Sequence, residues 1–162
     1  MLFYGAYEGA LKKSIHLLKF SGVRRLSKPL GLLLSELPVP EADGIIPVPL
    51  HPERLRQREF NQTALIARNL SQKLKIPLAL NALMKIKETS PQTGIPRTER
   101  LRNVKNAYSA SPEKVSGRDL LLIDDVITTG ATVSECSRIL MKAGAKKVTI
   151  IALARSMPKQ LS

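Results

Sequence analysis

Two adjacent carboxylates and a short loop rich in hydroxyl groups form the segment best suited to chemistry. Asp124 and Asp125 directly follow four large apolar residues, Leu120 to Ile123. Such a run predicts a strand buried on both faces of a parallel sheet, and open α/β sheets bind ligands at the carboxyl ends of their strands. The loop that follows contains Thr128, Thr129, Gly130, Ala131 and Thr132. It leads into a helix whose amides and dipole favour phosphate, so the segment predicts a sugar-phosphate site.

The helix after this loop is predicted from its own residues. Thr132 and Glu135 have the spacing of a capping box, and Gly144 stands where a left-handed C-terminal cap belongs. One face is apolar, with Val133, Cys136, Ile139 and Leu140. The apolar run 148–154 then predicts a returning strand. Strand, loop, helix and strand make one right-handed βαβ unit.

The remaining elements complete a single α/β domain over residues 1–162, with a mainly parallel sheet flanked by helices. Helical spacing predicts helices over 8–20, over 26–37, and from Asn61 or Thr63 to about Leu74. Short strands are predicted over 44–49 and within 77–87. These elements must position the acidic pair and its loop.

Charge and composition narrow the partners. The 26 basic and 13 acidic residues give a net charge of +13, which indicates an anionic partner or a crowded anion site; a sugar phosphate is one candidate and a nucleic acid is another. No stretch approaches the roughly twenty apolar residues of a membrane helix, and no signal peptide opens the chain, so we expect a cytoplasmic protein without membrane insertion. Cys136 is the single cysteine, which excludes an intramolecular disulfide, and its place on an apolar helix face predicts core packing.

Two polar segments could complete an anion site. The first, residues 49–62, follows a predicted strand end as the acidic pair does, so we expect both at one edge of the sheet. The residues predicted to hold pyrophosphate there are Leu50, His51 and Arg54. Arg56 and Arg58 are equally consistent with a solvated basic helix start, the alternative for the whole segment.

The second polar segment, residues 87–106, has little apolar periodicity and so predicts a lid over the site. Its cationic residues are Arg97, Arg100 and Arg102. A basic lid would exclude water from a cationic transition state. A surface excursion without function is the alternative.

The segment from Leu120 to Thr132 resembles the phosphoribosyl pyrophosphate (PRPP) motif of type I phosphoribosyltransferases. The resemblance implies that Asp124 and Asp125 hold the two ribose hydroxyls and that the loop of residues 128–132 wraps the monophosphate. It also implies Mg²⁺ as cofactor, carried on pyrophosphate and ribose oxygens with no direct protein ligand expected. Thr128 stands where purine-salvage relatives have a carboxylate, which makes a purine acceptor less expected.

Further motifs resemble the ComF family of competence-associated, phosphoribosyltransferase-like proteins. They are Val48-Pro49-Leu50-His51-Pro52, Phe60-Asn61-Gln62, Gln92-Thr93-Gly94, Arg97-Thr98-Glu99-Arg100, Ala152-Leu153-Ala154-Arg155 and the opening Tyr4-Gly5-Ala6-Tyr7-Glu8-Gly9 with Lys19-Phe20-Ser21-Gly22. The sequence lacks the cysteine-rich, zinc-binding segment that begins longer relatives. It also has Glu59 where the family commonly has glycine, which adds a negative charge unless Arg56 or Arg58 pairs with it.

Three functional hypotheses follow and stay open at this point. The first is a Mg²⁺-dependent phosphoribosyltransferase, an enzyme of the glycosyltransferase class, whose acceptor the residues do not identify. The second is a protein of DNA uptake that binds single-stranded DNA and works with competence machinery proteins. The third is a regulator that binds PRPP without turnover. With three Phe, three Tyr and no Trp, nucleic-acid binding would rest mostly on phosphate contacts.

Overall fold

Parallel strands form the centre of the fold in a computed structural model that describes residues 1–88 and 104–156. In chain order, the strands of this sheet are β1 Leu2–Ala6, β2 Gly44–Pro47, β5 Asp119–Ile127 and β6 Lys147–Arg155. Their spatial order is β1-β6-β5-β2, and every pairing is parallel. A separate antiparallel pair joins β3 Leu83–Lys85 to β4 Tyr108–Ala110.

Helices cover both faces of this sheet. They are α1 Gly9–Phe20, α2 Ser27–Leu34, α3 Pro52–Arg58, α4 Gln62–Leu74, α5 Pro112–Val115 and α6 Ala131–Lys142, with a 3₁₀ turn over Arg24–Leu26. The longest of these described helices has 13 residues, and none of them is both long and apolar enough to cross a membrane. The architecture is the α/β class that the sequence predicted.

Strand β5 contributes side chains to the hydrophobic core on each face of the sheet. Its side chains alternate: Leu120 and Leu122 face the layer of α6 and the β3–β4 pair, whereas Leu121 and Ile123 face the layer of α1, α2 and α4. All four are at most 2% exposed. A strand whose successive residues are all apolar can bury both faces only at the centre of such a sandwich. The prediction of a doubly buried strand is confirmed.

The helix predictions succeed where the signals are local. Helix α1 ends shortly before Gly22, whose φ is +66°, and Gly144 has the expected positive φ of 98°. Asn61 is the cap of α4, since its Oδ1 accepts from the amides of Thr63 at 2.9 Å and Ala64 at 3.3 Å. The predicted strand within 77–87 is only three residues long and lies in the separate pair.

The capping box predicted at Thr132 is wrong. Helix α6 begins one residue earlier, at Ala131, and its N-cap is Gly130 with φ 79°. The Glu135 carboxylate instead accepts from the Arg138 guanidinium and, at 2.7 Å, from the amide of Asn106. The loop enters the helix through the glycine, so a side-chain cap two residues later has no role.

Sequence reasoning missed β1, β4 and α5, which are short, and gave a helix in the region of α3 only as the alternative for residues 49–62. The predicted lid residues Arg97, Arg100 and Arg102 lie outside the described part of the chain.

Gly31 sets the distance between α2 and α4. A methyl group on Gly31 would lie 2.7 Å from Cβ of Asn69 and 2.8 Å from the carbonyl oxygen of Ile66. Backbone atoms cannot give way as a flexible side chain does. The two helices can therefore pack this closely only with glycine at this position.

We predict that Gly31→Ala lowers the free energy of unfolding by about 1–3 kcal/mol, because the helices must separate. In an uncrowded helix the same change would stabilise by about 1 kcal/mol, so the sign reports the contact. Urea unfolding measures it, with the exposed Lys28→Ala of the same helix as control. An unchanged or higher stability for Gly31→Ala contradicts the close approach.

Candidate functional site

A cleft of about 690 Å³ opens beyond the carboxyl ends of β2 and β5. Two predicted groups line it together: the acidic pair, Asp124 and Asp125, and the whole loop from Thr128 to Thr132. Leu50 and Arg54, from the segment after β2, also line it. His51 does not; it precedes α3, and its Nδ1 is buried without a hydrogen-bond partner among the described residues. The two strand ends thus meet at one edge, as the parallel topology requires.

Asp125 is the less exposed member of the acidic pair, with 4% of its surface exposed, whereas Asp124 is partly exposed. Its Oδ2 accepts from Nε2 of Gln62 at 3.0 Å and lies 3.2 Å from Nζ of Lys19. Its Oδ1 accepts from the amide of Val126 at 2.7 Å. A buried carboxylate needs such partners, because an unpaired charge is costly in a low dielectric. Helices α1 and α4 are thereby tied to the end of β5.

Asp124 points to the opposite face of β5 because successive strand side chains alternate. Its Oδ1 accepts from the amide of Asp125 at 2.9 Å. Burial, and then the neighbouring Asp125 carboxylate, raise the pKa of Asp124 to about 8. Near neutral pH the unliganded protein therefore holds a proton on this group, and the pair carries less than its full double charge.

Two titratable neighbours of Asp124 are kept in their neutral forms. Burial raises the pKa of the Tyr108 phenol above its ordinary value and raises that of the Cys136 thiol well above its own. Cys136 is fully buried, as predicted for a core residue, and a thiol kept protonated is a poor nucleophile. Tyr108 lines the cleft beside Thr132. This wall offers hydroxyl groups and no anionic nucleophile.

The loop from Thr128 to Thr132 has the geometry of an anion site. Gly130 takes the left-handed conformation, and the carbonyl of Gly130 accepts from the amide of Ser134 at 2.9 Å as α6 begins. The amides of a helix's first turn have no acceptor within the helix, and they carry the positive end of its dipole. Since Ala131, Thr132 and Val133 line the cleft, these amides lie at its wall.

Cationic side chains line the cleft together with the acidic pair. Arg54 and Arg58, one turn apart on α3, line it with Lys19 and Lys85. Burial and then the nearby charge of Arg54 lower the pKa of Arg58 from its ordinary value. Two guanidinium groups held this close raise the local positive potential, which favours a ligand with several negative charges.

Glu59 does not pair with Arg56 or Arg58, the partners considered from the sequence. Its carboxylate lies 3.2 Å from the Arg24 guanidinium, with both side chains more than half exposed. Glu59 has φ 63°, a conformation that suits glycine, and it does not line the cleft. The extra charge therefore lies beside the site and outside its wall.

Sequence reasoning missed Lys19 and Gln62 as site residues. Both belong to motifs that the sequence displays, Lys19-Phe20-Ser21-Gly22 and Phe60-Asn61-Gln62, but nothing local connects either residue to Asp125. Gln62 is 63 positions away from its partner. Its position at the first turn of α4, next to the Asn61 cap, is the signal that could have drawn attention to it.

One group of potential metal ligands lies away from the cleft wall. His51, Glu53 and Glu88 each bring one ligand atom within 4.8 Å of the others. Neither Glu is buried, and none of the three lines the cleft. Two exposed carboxylates and one histidine are ordinary surface neighbours, so no metal is assigned to them.

Comparison with known proteins agrees with this geometry. The phosphoribosyl transferase domain family matches residues 62–161. Competence protein F of Haemophilus influenzae is 36% identical over 168 residues, covering 96% of this chain and 72% of that protein. DNA utilization protein YhgH of Escherichia coli K12 is 34% identical over 161 residues, covering 93% and 70%. The structure of glutamine PRPP amidotransferase from B. subtilis, complexed with ADP and GMP, aligns with a TM-score of 0.61 at 23% identity, over 86% of this chain and 30% of that one.

These matches and the parallel sheet define a type I phosphoribosyltransferase fold. Within that class, the chain belongs to the ComF family. The family that the sequence motifs indicated is confirmed.

We predict that Lys19→Met lowers the free energy of unfolding by about 1–3 kcal/mol, because it leaves the buried Asp125 carboxylate without its counter-ion. Adding Asp125→Asn should recover most of that loss, since no buried charge then remains. Urea unfolding of both single variants and the double variant measures the coupling, with the exposed Lys13→Met as control. Additive losses in the double variant contradict the pairing.

We predict that Asp124 makes the protein less stable as pH rises from about 4 to about 8. Its pKa rises from 3.8 to about 8 on folding, so in this window the folded state keeps a proton that the unfolded state has lost. Asp124→Asn removes this contribution, so its stability relative to wild type should grow across the window. Urea unfolding at several pH values measures it; Glu113→Gln, an exposed control, should follow wild type. A pH-independent difference for Asp124→Asn contradicts the shift.

Proposed function

We propose that the cleft binds PRPP with Mg²⁺. One observation carries the proposal: the acidic pair and the loop from Thr128 to Thr132 line the same cleft as several cationic side chains. A carboxylate pair accepts hydrogen bonds from vicinal hydroxyls, amides at a helix start bind a phosphate, and guanidinium groups bind a pyrophosphate. PRPP is a ligand that carries all three groups.

In this proposal, each chemical group of PRPP contacts a different set of residues. The ribose hydroxyls donate to Asp124 and Asp125, and the monophosphate lies on the loop of residues 128–132. The pyrophosphate lies toward Leu50 and Arg54, where Arg58 adds positive charge. His51 stands behind this wall and would act on the ligand only through the backbone of the segment after β2.

The residues present fit a Mg²⁺ ion that is carried on the ligand. Both oxygens of Asp125 already accept hydrogen bonds within the protein, so this carboxylate suits ribose hydroxyls better than an inner-sphere metal bond. Mg²⁺ retains water and prefers substrate phosphates to an all-protein cage. When bound, the ion would neutralise charge on the pyrophosphate.

In turnover, the bond from the anomeric carbon to pyrophosphate would break, its electron pair leaving on oxygen, and an acceptor would bond to that carbon. The step needs charge stabilisation at the leaving group more than a strong base. Arg54 and Arg58 would supply it. Binding without turnover, as in a PRPP sensor, uses the same contacts, so the acceptor decides between the two forms of this proposal.

The names of the relatives favour a second function, in DNA uptake or handling. One relative is a competence protein and another a DNA utilization protein. A net charge of +13 exceeds what one PRPP site requires and suits a polyanion. We therefore propose that the chain also contacts single-stranded DNA and competence machinery proteins, in the cytoplasm.

Calorimetric titration with PRPP tests the first function. We expect binding that weakens when Mg²⁺ is chelated and that Asp125→Asn weakens about 10- to 100-fold, because a charged acceptor of ribose hydroxyls is lost. Glu113→Gln changes the net charge equally, at an exposed site outside the cleft, and should bind like wild type.

Circular dichroism of each variant confirms that it is folded before titration. If folded wild-type protein binds no PRPP with Mg²⁺ present, the proposed ligand is wrong. If Glu113→Gln and Asp125→Asn weaken binding equally, general charge and not the acidic pair holds the ligand.

A further inference from the structure

An aromatic and cationic surface lies at the rim of the cleft, where α1, the 3₁₀ turn and the end of α3 meet. We call it the Phe20 surface; its residues are His16, Phe20, Arg24, Arg58 and Phe60. The imidazole of His16 lies 4.6 Å from the Phe20 ring, centroid to centroid. The Arg58 guanidinium lies 5.2 Å from the Phe20 ring, and that of Arg24 lies 4.8 Å from the Phe60 ring.

Phe20 remains 60% exposed despite these neighbours, and it lines the cleft. A single exposed aromatic residue is ordinary on a protein surface. Here, however, the ring lines the cleft and has two cations near it, since Nζ of Lys19 also lies 5.9 Å from its centroid. The cations hold the ring in place and leave more than half of the side chain open to a ligand.

The segment that carries most of this surface has charged side chains of positive sign only. Residues 9–35 contain six basic side chains and no acidic one. Glu59 pairs with Arg24, and Asp125 pairs with Lys19 and lies near Arg58, so three cations outnumber two carboxylates among the contacts described around the surface. The segment also lies outside residues 62–161, which match the phosphoribosyl transferase domain family. The domain match therefore assigns it no role.

An exposed ring with cations close to it suits a ligand that carries both planar bases and phosphates. Base stacking on aromatic side chains tolerates any sequence, and guanidinium groups contact the backbone. A duplex hides its base faces within the stack, whereas a single strand offers them. The chemistry therefore favours single-stranded nucleic acid over a duplex or an acidic peptide.

We propose that the Phe20 surface binds single-stranded nucleic acid, with a base stacked on Phe20 and the adjoining phosphates on Arg24 and Arg58. This inference rests on the proposed function in DNA handling and gives it a location. It places the nucleic acid at the rim of the cleft and does not require PRPP to be present.

Fluorescence anisotropy with a labelled single-stranded oligothymidylate tests the stacking. Phe20→Leu keeps an apolar side chain but removes the ring, so we expect about 5- to 150-fold weaker binding, the range for one lost base stack. The matched control is Phe3→Leu, because Phe3 is also exposed, also has an arginine over its ring (Arg155, at 5.7 Å), and does not line the cleft. It should bind like wild type.

Salt dependence separates stacking from charge. Phe20→Leu should leave the slope of log affinity against log salt unchanged, whereas Arg24→Gln should reduce its magnitude by about one, the value for one lost phosphate contact. Wild type should prefer the oligothymidylate to a duplex of equal length, and Phe20→Leu should lose that preference.

Two results would overturn the proposal in different ways. If wild-type protein binds no oligothymidylate at low salt, the DNA-handling function fails together with its location. If wild type binds but Phe20→Leu and Phe3→Leu both match it in affinity and preference, DNA handling stands and the Phe20 surface is not its site.

Discussion

The burial of one charge organises the functional end of this molecule. Asp125 can lie inside the protein only because Lys19 and Gln62 meet its carboxylate there. Lys19 lies in the last turn of α1 and Gln62 in the first turn of α4. Their contacts with Asp125 therefore fix the C-terminal end of α1 and the N-terminal end of α4 against β5. The cleft wall follows from this arrangement: α1 brings Phe20 to the rim, and the start of α4 holds the segment that carries Arg54 and Arg58.

The two adjacent carboxylates lie in different environments, because successive side chains of a strand point to opposite faces of the sheet. Asp125 enters the layer of α1 and α4 and is held by ionic and hydrogen-bonded partners, which makes it a fixed acceptor. Asp124 enters the layer of α6, where burial and the charge of Asp125 raise its pKa to about 8. Near neutral pH the pair therefore carries less than two negative charges. A ligand that supplies hydroxyl donors and cations favours the ionised form of Asp124.

The parts of the structure that the sequence predicts are those whose cause is local. Alternating burial along β5, the Asn61 cap and the glycines after α1 and α6 each depend on a few neighbouring residues, and so does the loop of residues 128–132. The pairing of Lys19 with Asp125 depends on how distant elements pack, and no periodicity records it. The Thr132 capping box fails for a related reason: its spacing is local and correct, but Asn106, far along the chain, and Arg138 engage Glu135 instead.

Two parts of the chain contribute residues to the cleft. The part that matches the phosphoribosyl transferase domain supplies the acidic pair and the phosphate loop, whereas residues before 62 supply Lys19, Phe20, Arg54 and Arg58. The proposed PRPP site draws on both contributions, since its pyrophosphate would lie on Arg54 and Arg58. The proposed single-stranded nucleic acid would meet the second contribution, where the Phe20 ring and the neighbouring cations favour planar, charged ligands. In both proposals, ligand selection depends on residues before 62, and the Lys19–Asp125 ion pair joins α1 to the strand end that carries the acidic pair.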